Sequence, residues 1–71
     1  MTPYERLANG IVLQAVKDYR EALQNLRINP SYPDALRTVS EVERFFRSGW
    51  FSTLTSIDPE ALIEKLKTEV L

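Results

Sequence analysis

Apolar side chains recur every three or four residues along the first third of the chain, which is the spacing of one face of an α-helix. The positions with this spacing are Tyr4, Leu7, Ala8, Ile11, Val12, Ala15, Val16, Tyr19, Ala22, Leu23 and Leu26. Thr2 precedes Pro3 and Glu5, an order typical of a helix N-terminus in which the threonine is the N-cap. The pattern predicts a long helix over residues 3–27. Gly10 lies inside it, costs about 1 kcal/mol relative to alanine, and predicts a point of close packing.

Two shorter segments with helical spacing follow the first. The prolines within residues 29–33 end the first helix, and Ser31 is the predicted N-cap of the second, whose apolar face is Ala35, Val39, Val42 and Phe46. Gly49 predicts a helix end in the left-handed conformation, and residues 50–55 predict one short helical turn. Asp58 and Pro59 then form the cap and first position of a last helix with apolar positions Leu62, Ile63, Leu66 and Val70.

These elements predict an all-α fold that resembles a three-helix bundle. We expect the long first helix to carry the other two main helices packed across it, because each helix has one apolar face to bury. A chain of 71 residues is one domain and buries only about 60% of the surface that its unfolded form exposes. No internal repeat or linker divides it.

The composition argues against catalysis. The chain has no cysteine and no histidine, which removes disulfides, thiol nucleophiles, the common zinc sites and the usual general base. Its two glycines, Gly10 and Gly49, form no phosphate-binding loop. Glu60 and Glu64 lie one turn apart and could share a divalent cation, but two solvated glutamates are the favoured interpretation. We therefore expect no enzyme, cofactor, metal or small-molecule substrate.

The sequence also predicts a cytoplasmic protein without a membrane partner. Its longest apolar run is Ile11, Val12 and Leu13, far shorter than a membrane span or the core of a signal peptide. The first residues lack a basic leader.

The formal net charge of −1 hides an uneven distribution. On a helical wheel, four cations of the first helix fall within about 80° of one another, opposite the apolar face. This basic stripe consists of Arg6, Lys17, Arg20 and Arg27. An ordinary solvated face is the favoured interpretation, and binding of nucleic acid is the alternative. The sequence pI of about 5.3 argues against that alternative, because binding to phosphates depends on many lysines and arginines.

Four of the seven aromatic residues lie within residues 45–51. Phe46 continues the apolar face of the second helix, and Phe51 is expected to join it in the core. Phe45 and Trp50 add more apolar surface than a contact with one neighbouring helix covers. Aromatic residues are enriched at the centres of interfaces. Leu36 widens the same apolar face, and Leu13 projects from the basic side of the first helix. The sequence therefore predicts a protein partner, with a homodimer as the leading candidate, contacted by Leu13, Leu36, Phe45 and Trp50.

Three segments resemble small uncharacterised proteins encoded in phages and prophages of Gram-positive bacteria. Two of them are residues 4–9 and 11–20, and the most specific is Glu43-Arg44-Phe45-Phe46-Arg47-Ser48-Gly49-Trp50-Phe51. The resemblance covers nearly the whole chain. It implies an accessory phage protein that acts inside the bacterial host by binding rather than by catalysis. It carries over no functional residues, because the family has no assigned activity.

Overall fold

The computed structural model describes residues 2–70, which form four α-helices. These are α1 (Pro3–Ile28), α2 (Pro33–Phe46), α3 (Gly49–Leu54) and α4 (Pro59–Val70). Of the described residues, 84% are helical, and no strand occurs among them. The predicted all-α fold with a long first helix is confirmed, and the short helical turn expected over residues 50–55 is α3.

Side chains cap the first and last helices as predicted. The Thr2 hydroxyl oxygen accepts a hydrogen bond from the Glu5 backbone N–H at 3.1 Å. At the start of α4, Asp58 Oδ1 accepts from the Glu60 N–H, also at 3.1 Å. Both bonds satisfy backbone donors that have no partner within the helix. The capping residues therefore fix where α1 and α4 begin.

The prediction that Ser31 caps the second helix is wrong. Tyr32 occupies the N-cap of α2 and makes no capping hydrogen bond with its side chain. The Ser31 N–H donates instead to Asn29 Oδ1 at 3.2 Å, which is the asparagine turn that competes with helix capping. The fixed backbone torsion of Pro33 at the first helical position starts the helix in place of a cap.

The prediction that Gly49 ends α2 in the left-handed conformation is also wrong. Gly49 is the first residue of α3, and neither glycine has a positive φ. Ser48 makes the turn: its hydroxyl donates to the Phe45 carbonyl oxygen at 2.6 Å and accepts from the Phe51 N–H at 3.2 Å. One serine therefore caps α3 and holds the last turn of α2.

The core lies where α1 meets the other three helices. Its largest fully buried side chains are Tyr19, Phe46, Phe51 and Leu66. The ring centroids of Phe46 and Phe51 are 5.3 Å apart, and those of Tyr19 and Phe46 are 5.8 Å apart, both in edge-to-face geometry. Such pairs add to the stabilisation from burial. The predicted core positions of Phe46 and Phe51 are confirmed.

The first turn of α1 precedes Ala8, the first buried residue of the helix. The molecule measures 40 × 19 × 19 Å, so its long dimension matches the length of about 39 Å expected for a 26-residue helix. Contacts of α4 with α1 reach Arg20 and Arg27, towards the other end. Tyr4 and Leu7 are consequently 58% and 65% exposed, although both belong to the apolar pattern of the helix.

Candidate protein-docking groove

The polar side chains around Glu43 hold the helices together, and they are paired with one another rather than available to a ligand. The Tyr19 hydroxyl donates to Glu43 Oε2 at 2.6 Å, and Arg47 and Lys67 lie 3.3 and 3.6 Å from the same carboxylate. Burial, followed by the hydrogen bond to Glu43, raises the pKa of Tyr19. Glu43 thus joins α1, α2 and α4 with its charge compensated.

Arg47 also fastens the end of α2 to the start of α4. Its guanidinium contacts the Glu60 carboxylate at 2.6 and 3.1 Å through two nitrogens. These hydrogen bonds raise the pKa of Arg47 and lower that of Glu60. Glu60, one of the two carboxylates considered for a divalent cation, is thus paired with Arg47. The described part of the chain contains no cluster of three or more acidic residues able to hold a metal ion.

The basic stripe of α1 is divided by α4. Arg20 Nε pairs with Glu69 Oε2 at 3.0 Å, and Arg27 donates to the Val70 carbonyl oxygen at 3.2 Å. These two cations tie the end of α4 to α1. Among residues 2–70, the stripe residues with no ion pair and no side-chain hydrogen bond are Arg6 and Lys17. A phosphate backbone would therefore meet two unpaired cations on this stripe rather than four.

An apolar groove opens between the first half of α1 and the junction of α2 with α3. It is shallow and largely open to solvent, with a volume of about 580 Å³. Its apolar walls are Leu7, Ile11, Ala15, Val42, Phe45 and Trp50. Its polar rim has Arg6 towards one end of α1 and Gln14, Asp18 and Glu41 towards the other. The groove is therefore a long apolar surface whose ends carry opposite charges.

Phe45 connects this groove to the core. It is half-buried, and its ring lies 5.7 Å from Trp50, 5.6 Å from Phe51 and 5.9 Å from Phe46 between centroids. Trp50 stands at the outer edge of this cluster and is 59% exposed. The structure thus brings together Phe45 and Trp50, two of the predicted contact residues, on a wall supported by buried aromatic rings.

The other two predicted contact residues lie outside the groove lining. Leu13 is 66% exposed and Leu36 is 49% exposed. Leu13 follows Gly10 by three residues and so lies one turn further along the outer side of α1. Leu36 is on α2, and a singly exposed leucine of this kind is ordinary for a protein surface.

Gly10 lies in the groove lining and is exposed, so the prediction that it marks close packing is wrong for the domain itself. A Cβ built on Gly10 would meet no atom within 4 Å, and its φ is not positive. Neither crowding nor backbone geometry in the monomer requires a glycine there. The residue leaves a shallow notch in α1, between the exposed side chains of Leu7 and Leu13.

The apolar periodicity predicts that two groove residues, Leu7 and Ile11, lie on the buried face of α1. The structure leaves Leu7 exposed and Ile11 half-buried. Leu7 lies at the edge of the apolar stripe on a helical wheel, on a helix longer than its neighbours. These two signals together could have identified it from the sequence.

Comparisons of the chain with protein-family models, curated proteins and solved structures found no match. Within residues 2–70, each helix is too short or too polar to cross a membrane.

Proposed function

We propose that this chain is a non-catalytic protein-interaction module that receives an amphipathic helix of a protein partner in the groove between α1, α2 and α3. The observation that carries the proposal is Trp50, which is 59% exposed beside half-buried Phe45 at the wall of an apolar groove. Tryptophan in such a position is the residue type most enriched among the residues that dominate binding energy. A rigid aromatic wall also binds with little loss of side-chain entropy.

The dimensions of the groove favour a helix as its occupant. The groove follows α1 from Leu7 to Asp18, a distance of about 16 Å or three helical turns. A helix of that length presents anchors at positions i, i+3 or i+4 and i+7 along one face. Leu7, Ile11 and Trp50 offer apolar contact to such anchors.

The rim of the groove adds a preference for charge. Arg6 lies at one end, and Asp18 with Glu41 lies at the other. Gln14 donates to Asp18 Oδ1 at 2.9 Å and so orients that carboxylate. A docked helix with an acidic residue near Arg6 and a basic residue near Asp18 would complement both ends, which mainly sets orientation and specificity.

A selection from a random peptide display library tests this proposal. Selected peptides are titrated into the protein while the fluorescence of Trp50, the single tryptophan of the chain, is recorded. We expect amphipathic helical sequences whose affinity falls at least about tenfold with Leu7→Asp or Trp50→Ala, the loss typical of an interface anchor. Titration calorimetry measures the affinity of Trp50→Ala, because this variant lacks the fluorescent side chain. Leu36→Ser is the matched control, since it removes an exposed leucine outside the groove.

Peptides that bind the groove variants and the natural chain equally would refute the proposal. The accessory phage role implied by the resemblance, inside a bacterial host, stays a prediction. The genes that neighbour the coding sequence test it, because a phage cassette would be expected around it.

A further inference from the structure

We propose that the helix received by the groove is α1 of a second copy of this chain, in a two-fold symmetric dimer with the two α1 helices antiparallel. This inference rests on the proposed function, because it names the occupant of the same groove. The chain carries a suitable helix itself: the first turns of α1 are amphipathic and expose Tyr4 and Leu7. The first turn precedes Ala8, the first buried residue of α1, so its exposed side chains can contact another molecule.

Gly10 supplies the shape complementarity. Leu7 and Gly10 are three residues apart and lie next to each other on the exposed side of α1. Where two identical helices pack antiparallel, the residues along the line of contact of one helix face the same residues of the other in reverse order. Leu7 of each copy therefore lies over Gly10 of the other. The open space at Gly10 accepts the leucine, and the two-fold axis forms the contact twice.

Other apolar side chains of the overlap also have neighbours in this register. Ile11 faces Tyr4 of the second copy on the side of Trp50, and Leu13 faces the aliphatic stem of Arg6 on the opposite side. Within the overlap, residues 3–14, no pair of like charges is brought together. Asp18 lies just beyond the overlap, next to the N-terminus of the other α1, where the helix dipole favours a carboxylate.

The apolar area is sufficient for a weak dimer. Tyr4 and Trp50 are more than half exposed, which leaves roughly 100–150 Å² of each ring available for burial. Leu7 and Leu13 are about two-thirds exposed and add roughly 80–100 Å² each. With Ile11, Gln14 and the Arg6 stem, the total is about 600 Å² per copy, at the lower end of specific interfaces. We therefore expect a dissociation constant on the order of 10–100 µM.

Sedimentation equilibrium over a wide range of concentration tests the dimer. The natural chain should change from monomer to dimer mass as its concentration rises through the expected dissociation constant. Leu7→Asp and Gly10→Leu should each weaken the association at least about tenfold, while Leu36→Asp should leave it unchanged. Circular dichroism reports whether each variant stays folded, as expected for substitutions at exposed positions. A second variant at the notch, Gly10→Ala, keeps the test valid if a larger side chain perturbs α1.

Disulfide trapping tests the antiparallel arrangement, and the natural chain contains no cysteine to interfere. A mixture of Arg6→Cys and Leu13→Cys proteins should form a mixed disulfide, because these positions face each other across the dimer. Leu13→Cys alone should trap poorly, since the two copies of position 13 would be about 13 Å apart along the helix axis. Efficient trapping of Leu13→Cys with itself would overturn the antiparallel arrangement.

A natural chain that stays monomeric at the highest concentration, or a dimer indifferent to Leu7→Asp and Gly10→Leu, would overturn this inference. After either result, the occupant of the groove would be a helix of a different protein, and the peptide selection tests whether the groove binds such a helix. If the selected peptides bind the groove variants and the natural chain equally, but the dimer forms and is weakened by Leu7→Asp, self-association would be the only activity of the groove. The peptide selection can therefore refute binding of a partner helix while the dimer stands, and sedimentation can refute the dimer while binding of a partner helix stands.

Discussion

Gly10→Ala should stabilise the monomeric domain, although Gly10 lies within the proposed interface. Gly10 is inside the helical segment Pro3–Ile28, its φ is not positive, and no atom lies within 4 Å of an added Cβ. Alanine therefore meets no steric cost there. It also removes the entropy penalty of a glycine, which is about 0.5–1 kcal/mol in the interior of a helix.

This free energy corresponds to a measurable change in melting temperature. A domain of 71 residues has an unfolding entropy of about 150 cal/mol/K near its midpoint. A gain of 0.5–1 kcal/mol therefore raises the Tm by about 3–7 °C. Because the first turns of α1 are exposed, part of the gain can appear as reduced local opening. Hydrogen exchange of the amides of residues 6–14 measures that part directly.

The assay is thermal and urea unfolding of the natural chain and Gly10→Ala, at concentrations below and above the expected dissociation constant. Below it, Gly10→Ala should be the more stable protein. Above it, the advantage should shrink or reverse, because dimer formation stabilises the natural chain by mass action and the added methyl group fills the notch. Gly49→Ala is the matched control. Gly49 is equally open but starts α3, so its replacement should not depend on concentration.

No gain below the dissociation constant would refute the reasoning that the monomer has no use for a glycine at position 10. An equal gain at both concentrations would show that no second copy occupies the notch.

Three further predictions concern the core, its pH dependence and the basic stripe. Phe51→Ala should cost about 3–5 kcal/mol, a large part of the stability of so small a domain, and circular dichroism should show partial unfolding at 25 °C; full helicity would refute this. Because burial and Glu43 raise the pKa of Tyr19, the folded state keeps a proton that the unfolded state loses above pH of about 10. The contribution of Tyr19 to the free energy of unfolding is then fully present below that pH and falls by about 1.4 kcal/mol per pH unit above it. Tyr19→Phe should lack this dependence, and an equal pH dependence of the unfolding free energy in both proteins, measured with urea, would contradict the prediction. Duplex DNA should not shift in a gel at low salt, and a shift abolished by Arg6→Gln with Lys17→Gln would revive the nucleic-acid alternative.

Local signals predicted most of the helix boundaries. The apolar spacing placed the end of the first helix at Arg27, one residue from its end at Ile28. Thr2 and Asp58 cap α1 and α4 as expected. Such features depend on a few adjacent residues, so the sequence contains what is needed to predict them.

The turns around α2 were predicted less well, because more than one local solution exists for each. Gly49 suggested a left-handed helix end, but Ser48 closes the turn with two hydrogen bonds and ordinary backbone angles. At the other end, Ser31 had the residue type of a cap, yet Asn29 accepts its N–H. Side chains that compete for the same backbone groups cannot be ranked by residue type alone.

The candidate site was predicted in part, because exposure depends on where the other helices end. The aromatic excess at Phe45 and Trp50 was visible in the sequence, and both line the groove. The exposure of Leu7 depends on the extent of α1 beyond its neighbours. Likewise, a helical wheel gave Arg20 and Arg27 a solvated position, whereas the direction of α4 brings Glu69 and the Val70 carbonyl to them.

Two features of the groove, Gly10 and Trp50, serve no purpose in the monomer. Gly10 weakens α1 by about 1 kcal/mol relative to alanine, and Trp50 leaves most of its indole in water. Either alone would be ordinary, as Leu36 is. Gly10 and Trp50 line the same groove. A helix that entered the groove could approach α1 closely at Gly10 and make apolar contact with Trp50. In a domain whose stability is only a few kcal/mol, one occupant of the groove would account for both costs.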